Sequence, residues 1–237
     1  MKVSLFVTCL VDQLYPNIGV SSVKLLRSLG CEVEFRSQQT CCGQPAFNTG
    51  YRKEARKFAE AFIELFDDAD AIVIPSGSCT AMVKHFQELF PDDGSMRERA
   101  RSVAARTHEL TSFVVNVLGA DAVQGGCRGK IGWHDACHGL RDLGIRDEPR
   151  RLIRNLEGAE FVELEHADVC CGFGGTFSVK YPEISTAILD SKVESIVKSG
   201  VSTVSSCDAS CLMQISGRLS RLGYKVETKH IAEVLAP

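Results

Sequence analysis

The sequence lacks an excess of positive charge. Its 27 Lys and Arg residues are outnumbered by 30 Asp and Glu residues, which gives a formal net charge of -3. No cluster of Lys and Arg is interleaved with aromatic side chains. Because affinity for a phosphate backbone depends on such clusters, the composition disfavours a nucleic acid partner.

The opening apolar stretch, residues 3–11, is too short and too polar to serve as an export signal or a membrane span. It contains Ser4 and Thr8, stops at Asp12, and has neither a basic lead-in nor a cleavage site. A membrane-spanning helix needs about 20 predominantly apolar residues. We therefore expect this stretch to form a buried strand, and we expect a cytoplasmic protein with no transmembrane segment.

Nucleotide-binding fingerprints are also missing. The glycines do not have GxGxxG spacing, and no GxxxxGK[ST] sequence occurs. The glycine-rich string at residues 172–175 could present amide groups to an anion, but its place directly after two cysteines favours a tight turn.

Cysteine, in contrast, is abundant. The chain has 11 cysteines, and an odd number without an export signal argues against a disulfide framework. A single free cysteine is usually a small buried apolar residue. The arrangement of these cysteines, however, favours metal binding by reduced thiols.

The cysteines recur at a nearly constant interval. It is 128 residues from Cys9 to Cys137, 129 from Cys41 and Cys42 to Cys170 and Cys171, and 132 from Cys79 to Cys211. Offsets this regular indicate a duplication. We predict two units, residues 1–124 and 125–237. Cys31 and Cys127 have no counterpart in the other unit and are predicted not to bind metal.

Each unit shows the same order of predicted elements. Apolar runs predict strands at residues 3–8, 32–36 and 71–75 in the first unit and at 131–134, 160–164 and 201–205 in the second. Between them, one-sided apolar stripes predict helices at 18–29, 52–66, 149–156 and 183–199. Strands that alternate with helices form mainly parallel sheets. The predicted fold is therefore α/β, as two tandem, duplicated units.

The eight repeated cysteines all follow predicted strand ends. In open α/β sheets, sites form at the carboxyl ends of the strands. Each unit should therefore gather four thiols at one sheet edge. Four thiolates can hold either a tetrahedral zinc ion or an iron–sulfur cluster. Two cysteines in direct sequence suit a cluster of several irons, because each sulfur can bind a different metal atom.

The spacing of Cys, about 31 residues, Cys-Cys-Gly, about 36 residues and Cys resembles the cysteine-rich CCG domain. This domain occurs in tandem in one of the subunits of heterodisulfide reductase and in the iron–sulfur subunit of glycolate oxidase. Four strings carry a closer similarity to the branch of the family that takes part in oxidizing L-lactate to pyruvate: TCCGQP at 40–45, PSGSC at 75–79, HDACHGLR at 134–141 and CCGFGG at 170–175.

The resemblance implies an iron–sulfur protein that transfers electrons in the oxidation of L-lactate to pyruvate. It implies 4Fe-4S clusters, a ferredoxin-type iron–sulfur partner and a further lactate-utilization subunit. The implied ligands are the eight repeated cysteines: Cys9, Cys41, Cys42, Cys79, Cys137, Cys170, Cys171 and Cys211.

The sequence departs from the fullest form of the family motif, which closes with Cys-x-x-Cys and supplies five cysteines per unit. The first unit has Pro75 and Ser76 where the extra cysteine would lie. The second unit has Cys207, but three residues separate it from Cys211. Cys207 is a further candidate ligand, and zinc remains an alternative to a cluster in one unit.

Two histidines flank Cys137, and the first unit has Phe6 and Leu10 at the corresponding places. His134 and His138 are candidate catalytic residues that could bind metal, relay protons or bind a carboxylate substrate. A histidine that tunes a cluster through a hydrogen bond is the alternative.

Other functions also remain open for the whole protein. The same scaffold could carry out heterodisulfide-reductase-like chemistry or oxidize glycolate. A zinc-stabilized scaffold without redox activity is a further alternative.

Overall fold

The computed structural model describes all 237 residues and contains two four-stranded sheets, one in each half of the chain. The first sheet consists of β1 (Lys2–Leu5), β2 (Glu32–Phe35), β3 (Ile72–Ile74) and β4 (Thr107–Glu109). The second consists of β5 (Gly129–Trp133), β6 (Ala159–Val162), β7 (Thr203–Ser206) and β8 (Glu227–His230). All neighbouring strands are parallel, and the orders are β2-β1-β3-β4 and β6-β5-β7-β8. The predicted α/β class with parallel sheets is confirmed.

Helices connect the strands in the same order in both halves. Those of the first half are α1 (Cys9–Leu14), α2 (Pro16–Ser28), α3 (Gln44–Asn48), α4 (Arg52–Phe66), α5 (Gly77–Lys84), α6 (Gly94–Ala105) and α7 (Leu110–Ser112). Those of the second half are α8 (Cys137–Arg141), α9 (Asp147–Arg154), α10 (Phe177–Lys180), α11 (Pro182–Lys198), α12 (Ala209–Arg221) and α13 (Ile231–Leu235). Only α6 has no counterpart in the other half. None of the helices combines the length and apolar character needed to cross a membrane.

The sequence predicted three strands per unit, and the structure adds a fourth to each. These added strands, β4 and β8, have the sequences THE and ETKH and lie at the sheet edges. Neither sequence has the apolar run by which a buried strand is recognised, although Thr107 and Glu109 in β4 and His230 in β8 are buried. The predicted helices differ from those observed by only a few residues at their ends.

The two sheets share one hydrophobic core. A cluster of 37 buried residues extends from Val3 and Leu5 in the first sheet to Ile131 and Trp133 in the second. A separate cluster of 18 buried residues covers the other face of the first sheet, beneath α4 and α6. Because burial of apolar surface stabilises packing, this continuous core helps to hold the two halves together.

Contacts between the halves occur in matched pairs. Helix α5 packs against α8, and the equivalent helices α12 and α1 pack against each other. In the same way, α7 packs against α9, and α13 packs against α2. The two halves are therefore related by an approximate two-fold axis, with the helices that follow β1, β3, β5 and β7 close to it.

Two equivalent residues meet near this axis. Ser76 and Asp208 each directly precede a helix, α5 and α12 respectively. The Asp208 carboxylate accepts hydrogen bonds from Ser76 Oγ at 2.6 Å, from Ser78 Oγ at 2.8 Å and from the Ser78 amide at 3.1 Å. Asp208 therefore caps the helix of the opposite unit and not its own. A buried carboxylate at a helix N-terminus is stabilised by these donors and by the helix dipole.

We predict that Asp208→Ala lowers the free energy of unfolding by about 2 to 4 kcal/mol, because buried donors in the opposite unit lose their acceptor. Chemical denaturation of the purified protein measures this change. Asp208→Asn, which keeps one acceptor oxygen, should cost less. A change within about 0.5 kcal/mol for Asp208→Ala, the range of ordinary surface substitutions, would contradict the capping role.

Candidate metal centres

In the first unit, three loops bring four cysteines to the carboxyl edge of the sheet. Cys9 begins α1 after β1, Cys41 and Cys42 lie in the loop after β2, and Cys79 lies in the first turn of α5 after β3. The Sγ atoms of Cys9 and Cys41 are 3.8 Å apart, and those of Cys42 and Cys79 are 3.2 Å apart. The structure therefore brings together all four cysteines predicted for this unit.

The second unit repeats this arrangement. Cys137 begins α8, Cys170 and Cys171 lie in the loop after β6, and Cys211 lies in the first turn of α12. The thiol of Cys170 interacts with those of Cys137 and Cys171, and Cys171 interacts with Cys211. In both units, the second cysteine of the pair and the last cysteine are buried, and the other two are partly exposed. We call these two sets the first and second quartets.

A glycine in the left-handed backbone conformation follows each cysteine pair and turns the chain back on itself. The φ angles are +84° at Gly43 and +82° at Gly172, a region that other residues rarely adopt. The amides of these glycines donate hydrogen bonds to Cys41 Sγ at 3.4 Å and Cys170 Sγ at 3.3 Å. The turn thus points two neighbouring sulfurs toward one centre and supplies a donor to one of them.

The hydrogen bonds within each quartet favour ionisation of the first cysteine of the pair. The pKa of Cys41 is lowered to about 3, first by the hydrogen bond from Cys42 and then by that from Cys9. The pKa of Cys170 is lowered to about 2 by hydrogen bonds from Cys137 and Cys171. In each quartet, these contacts therefore favour the thiolate form most at the first cysteine of the pair.

Both quartets face a single cavity of about 280 Å³ between the two halves. All eight repeated cysteines line it, together with polar groups that include Gln44, Asn48, Ser78 and Thr176. Asp208, whose carboxylate binds Ser76 of the first unit, also lines the cavity. The sequence predicted two separate sheet edges, and the two-fold arrangement turns these edges toward each other.

The two predicted histidines occupy different environments. His138 is partly exposed, lines the cavity, and forms a hydrogen bond with Asp142, at 2.5 Å between His138 Nδ1 and the carboxylate. His134 is completely buried, and neither of its ring nitrogens has a hydrogen-bond partner. Burial, followed by the charge of Lys192, lowers the pKa of His134 to about 3, so the imidazole is neutral.

The floors beneath the two quartets differ in chemistry. Phe6 and Phe62 pack edge to face beneath the first, with their ring centroids 4.9 Å apart. The equivalent positions of the second unit hold His134 and Lys192. Lys192 is only 1% exposed, and its Nζ donates to the carbonyl of His166 at 2.5 Å and to that of Ala167 at 3.1 Å. The ammonium thereby holds the loop that leads to the second cysteine pair.

Asp135 joins a buried ion pair beside the second quartet. Arg150 donates to both carboxylate oxygens of Asp135, at 2.9 and 2.8 Å, and also binds Glu163. The indole of Trp133 donates to the same carboxylate at 2.8 Å. This network fixes the segment between β5 and Cys137. A removed partner would leave an unpaired buried charge, which is strongly destabilising.

The remaining three cysteines lie outside the quartets. Cys31 and Cys127, which have no counterpart in the other unit, are buried in the shared core. Cys207 is buried beneath the junction of the units, where its Sγ lies close to Gly77 and Gly139. It is not among the residues that line the cavity. The structure therefore does not bring Cys207 together with the second quartet at the cavity surface.

The sequence analysis missed Lys192 and Asp208. Lys192 could have been found, because it is a charged residue within the apolar stripe of a predicted helix. The residues of this stripe around it, Leu189, Val193 and Ile196, are all buried. Asp208 offers no comparable signal, because its partners belong to the other unit and become neighbours only in the folded chain.

The donor atoms fit a metal centre in each unit. All 11 cysteines are free thiols, so no quartet is occupied by a disulfide. Four thiols around one point are a complete set for zinc or for an iron–sulfur cluster. The unpaired imidazole of His134 beside Cys171 and Cys211 is a further donor without a protein partner.

We predict that Gly172→Ala destabilises the protein by about 3 kcal/mol or more. A Cβ at this position would lie 2.4 Å from the backbone oxygen of Ser185, so the turn must shift. Gly223→Ala is the matched control, because Gly223 has a similar φ of +77° but open space around it. This control should cost about 1 kcal/mol for conformation alone. Equal losses in thermal denaturation would contradict the close packing of the turn.

Comparisons with known proteins agree with the duplication and the cysteine pattern. The profile of the cysteine-rich CCG domain matches the chain twice, at residues 3–84 and 131–216. Three similar proteins carry the name lactate utilization protein A. The one from Bacillus subtilis is 48% identical over 99% of both chains. The one from Exiguobacterium is 50% identical over 99% of this chain and 96% of that protein, and the one from Geobacillus thermodenitrificans is 47% identical over 99% and 98%.

With two CCG domains in tandem and this degree of identity along its whole length, the chain belongs to the lactate utilization protein A family of cysteine-rich CCG proteins.

Proposed function

We propose that the protein is the iron–sulfur electron-transfer subunit of a complex that oxidizes L-lactate to pyruvate. The observation that carries this proposal is the convergence of two cysteine quartets on one cavity. A second support is the 48% sequence identity, over 99% of the chain, with a protein named for lactate utilization. In this role, the chain works in the cytoplasm.

The proposed ligands are the eight cysteines of the two quartets, four in each unit: Cys9, Cys41, Cys42, Cys79, Cys137, Cys170, Cys171 and Cys211. A bound cluster would supply one-electron transfer, with a potential set by its surroundings. The protein contributes amide donors from Gly43 and Gly172 to the sulfurs. Hydrogen bonds to sulfur stabilise the negative charge that reduction adds to a cluster. Burial of the cluster destabilises this added charge.

Oxidation of lactate to pyruvate releases two electrons and two protons, whereas each centre accepts one electron at a time. Two centres that face one cavity can each accept one of these two electrons. The electrons must then leave through other proteins, for which we propose a ferredoxin-type iron–sulfur subunit and a further lactate-utilization subunit. The names of the relatives support the assignment to this process.

A zinc-stabilized scaffold is the second candidate, and one structural feature favours it. The positions that would close a Cys-x-x-Cys motif three residues before Cys79 and Cys211 hold Ser76 and Asp208, which bind each other. Each quartet therefore has only four sulfurs, the number found in a tetrahedral zinc site.

We predict that protein purified without oxygen contains iron and sulfide in matching amounts. Cys42→Ser and Cys171→Ser should each lower the iron content by about half, because each removes one ligand of a single quartet. Cys31→Ser is the matched control, as it replaces a buried cysteine outside both quartets and should leave the iron content unchanged. Metal analysis and electron paramagnetic resonance (EPR) provide the measurement. Zinc without sulfide would show that the scaffold function is correct.

A second prediction concerns the substrate. Addition of L-lactate to the complex assembled with its partner subunits should produce the EPR signal of reduced clusters, and Cys171→Ser should weaken this signal. Glycolate and disulfide substrates serve as comparisons in the same experiment. Equal or stronger reduction by glycolate, or oxidation of reduced protein by a disulfide, would favour the corresponding alternative.

A further inference from the structure

His134 is an orphaned donor in the floor of the second quartet. Its side chain has no exposed surface, and neither Nδ1 nor Nε2 has a hydrogen-bond partner. One of its ring nitrogens and the sulfurs of Cys171 and Cys211 all lie within 4.8 Å of one another. One ring nitrogen therefore lies close to two of the sulfurs that face the cavity.

A buried imidazole ordinarily bonds to a backbone carbonyl or to a carboxylate, because an unpaired polar group in the interior costs free energy. His230 is also fully buried. It follows this rule, because its Nε2 forms a hydrogen bond with the carbonyl of Cys207 at 2.8 Å. The carboxylate nearest His134 in sequence, Asp135, is already occupied by Arg150 and Trp133. Neither ring nitrogen of His134 forms a hydrogen bond in the structure, and a metal ion is a partner that its position beside Cys171 and Cys211 allows.

We infer that His134 is a nitrogen ligand of the metal centre in the second quartet, beside Cys171 and Cys211, so that this centre has a nitrogen donor that the first centre lacks. The inference rests on the proposed function to the extent that the second quartet must hold a metal. The first centre has sulfur donors only, because the equivalent position there is Phe6, whose ring cannot bind a metal.

Lys192 is buried at the position equivalent to Phe62. Its Nζ donates to the carbonyls of His166 and Ala167, in the loop that leads to Cys170 and Cys171. These two hydrogen bonds hold the loop, and with it the sulfurs of the pair, in place beside His134.

The consequence is that the two centres are not equivalent. The second has an imidazole and the buried side chain of Lys192 beside its sulfurs, whereas the first has Phe6 and Phe62 at the equivalent positions.

The test is hyperfine spectroscopy of the reduced, anaerobically purified protein. Wild-type protein is prepared with ordinary histidine and with ¹⁵N-labelled histidine, and its nitrogen couplings are measured by electron–nuclear double resonance. We expect a strongly coupled nitrogen that changes with the isotope, is lost in His134→Gln and is retained in His138→Gln. The isotope comparison uses the wild-type chain, so it remains decisive if a variant does not fold.

Iron and sulfide analysis of the same samples separates this inference from the proposed function. Iron–sulfur centres without a coupled histidine nitrogen would overturn the ligation by His134 and leave the electron-transfer function intact. Zinc in place of iron would overturn the electron-transfer function. In that case, X-ray absorption at the zinc edge decides the ligation, since imidazole scattering that is lost in His134→Gln supports it and a sulfur-only shell refutes it.

Discussion

The parallel arrangement of three neighbouring strands is the constraint on which both candidate centres depend. In the order β2-β1-β3, all strands run in the same direction, so their carboxyl ends meet at one edge. From β1 the chain passes to β2 on one side of it, and from β2 it returns to β3 on the other side. This change of direction opens a crevice at the carboxyl ends of β1 and its neighbours. Cysteines that are 70 residues apart in sequence, from Cys9 to Cys79, therefore become neighbours. The left-handed turns at Gly43 and Gly172 complete each set.

Duplication copies this edge, and the packing of the two units places the copies face to face. The shared core holds the sheets together, while Asp208 ties the helix ends beside the cavity. Within this common geometry, substitutions at equivalent positions give the centres different surroundings. An aromatic pair under the first quartet becomes an imidazole and an ammonium under the second. Two similar sets of sulfurs therefore lie above side chains of different polarity.

Much of this organisation was predictable because it follows from local patterns and from the repeat. Apolar runs and stripes located six strands and the main helices, and the constant offset identified Cys137, Cys170, Cys171 and Cys211 from their counterparts. The edge strands β4 and β8 escaped prediction because sheet pairing stabilises them and apolar burial does not. The shared cavity and the bonds of Asp208 depend on contacts between distant segments, which periodicity does not encode.

The meeting of Ser76 and Asp208 bears on how such a molecule can arise. In a symmetric homodimer of one unit, a residue near the axis faces its own copy. With serine at this position in both copies, two hydroxyls would face each other. With aspartate in both copies, two buried carboxylates would face and repel each other. Covalent fusion of the copies removes this restriction, because each half can mutate alone. The hydroxyl–carboxylate pair at 2.6 Å is a contact that a symmetric homodimer of one unit cannot form at this position.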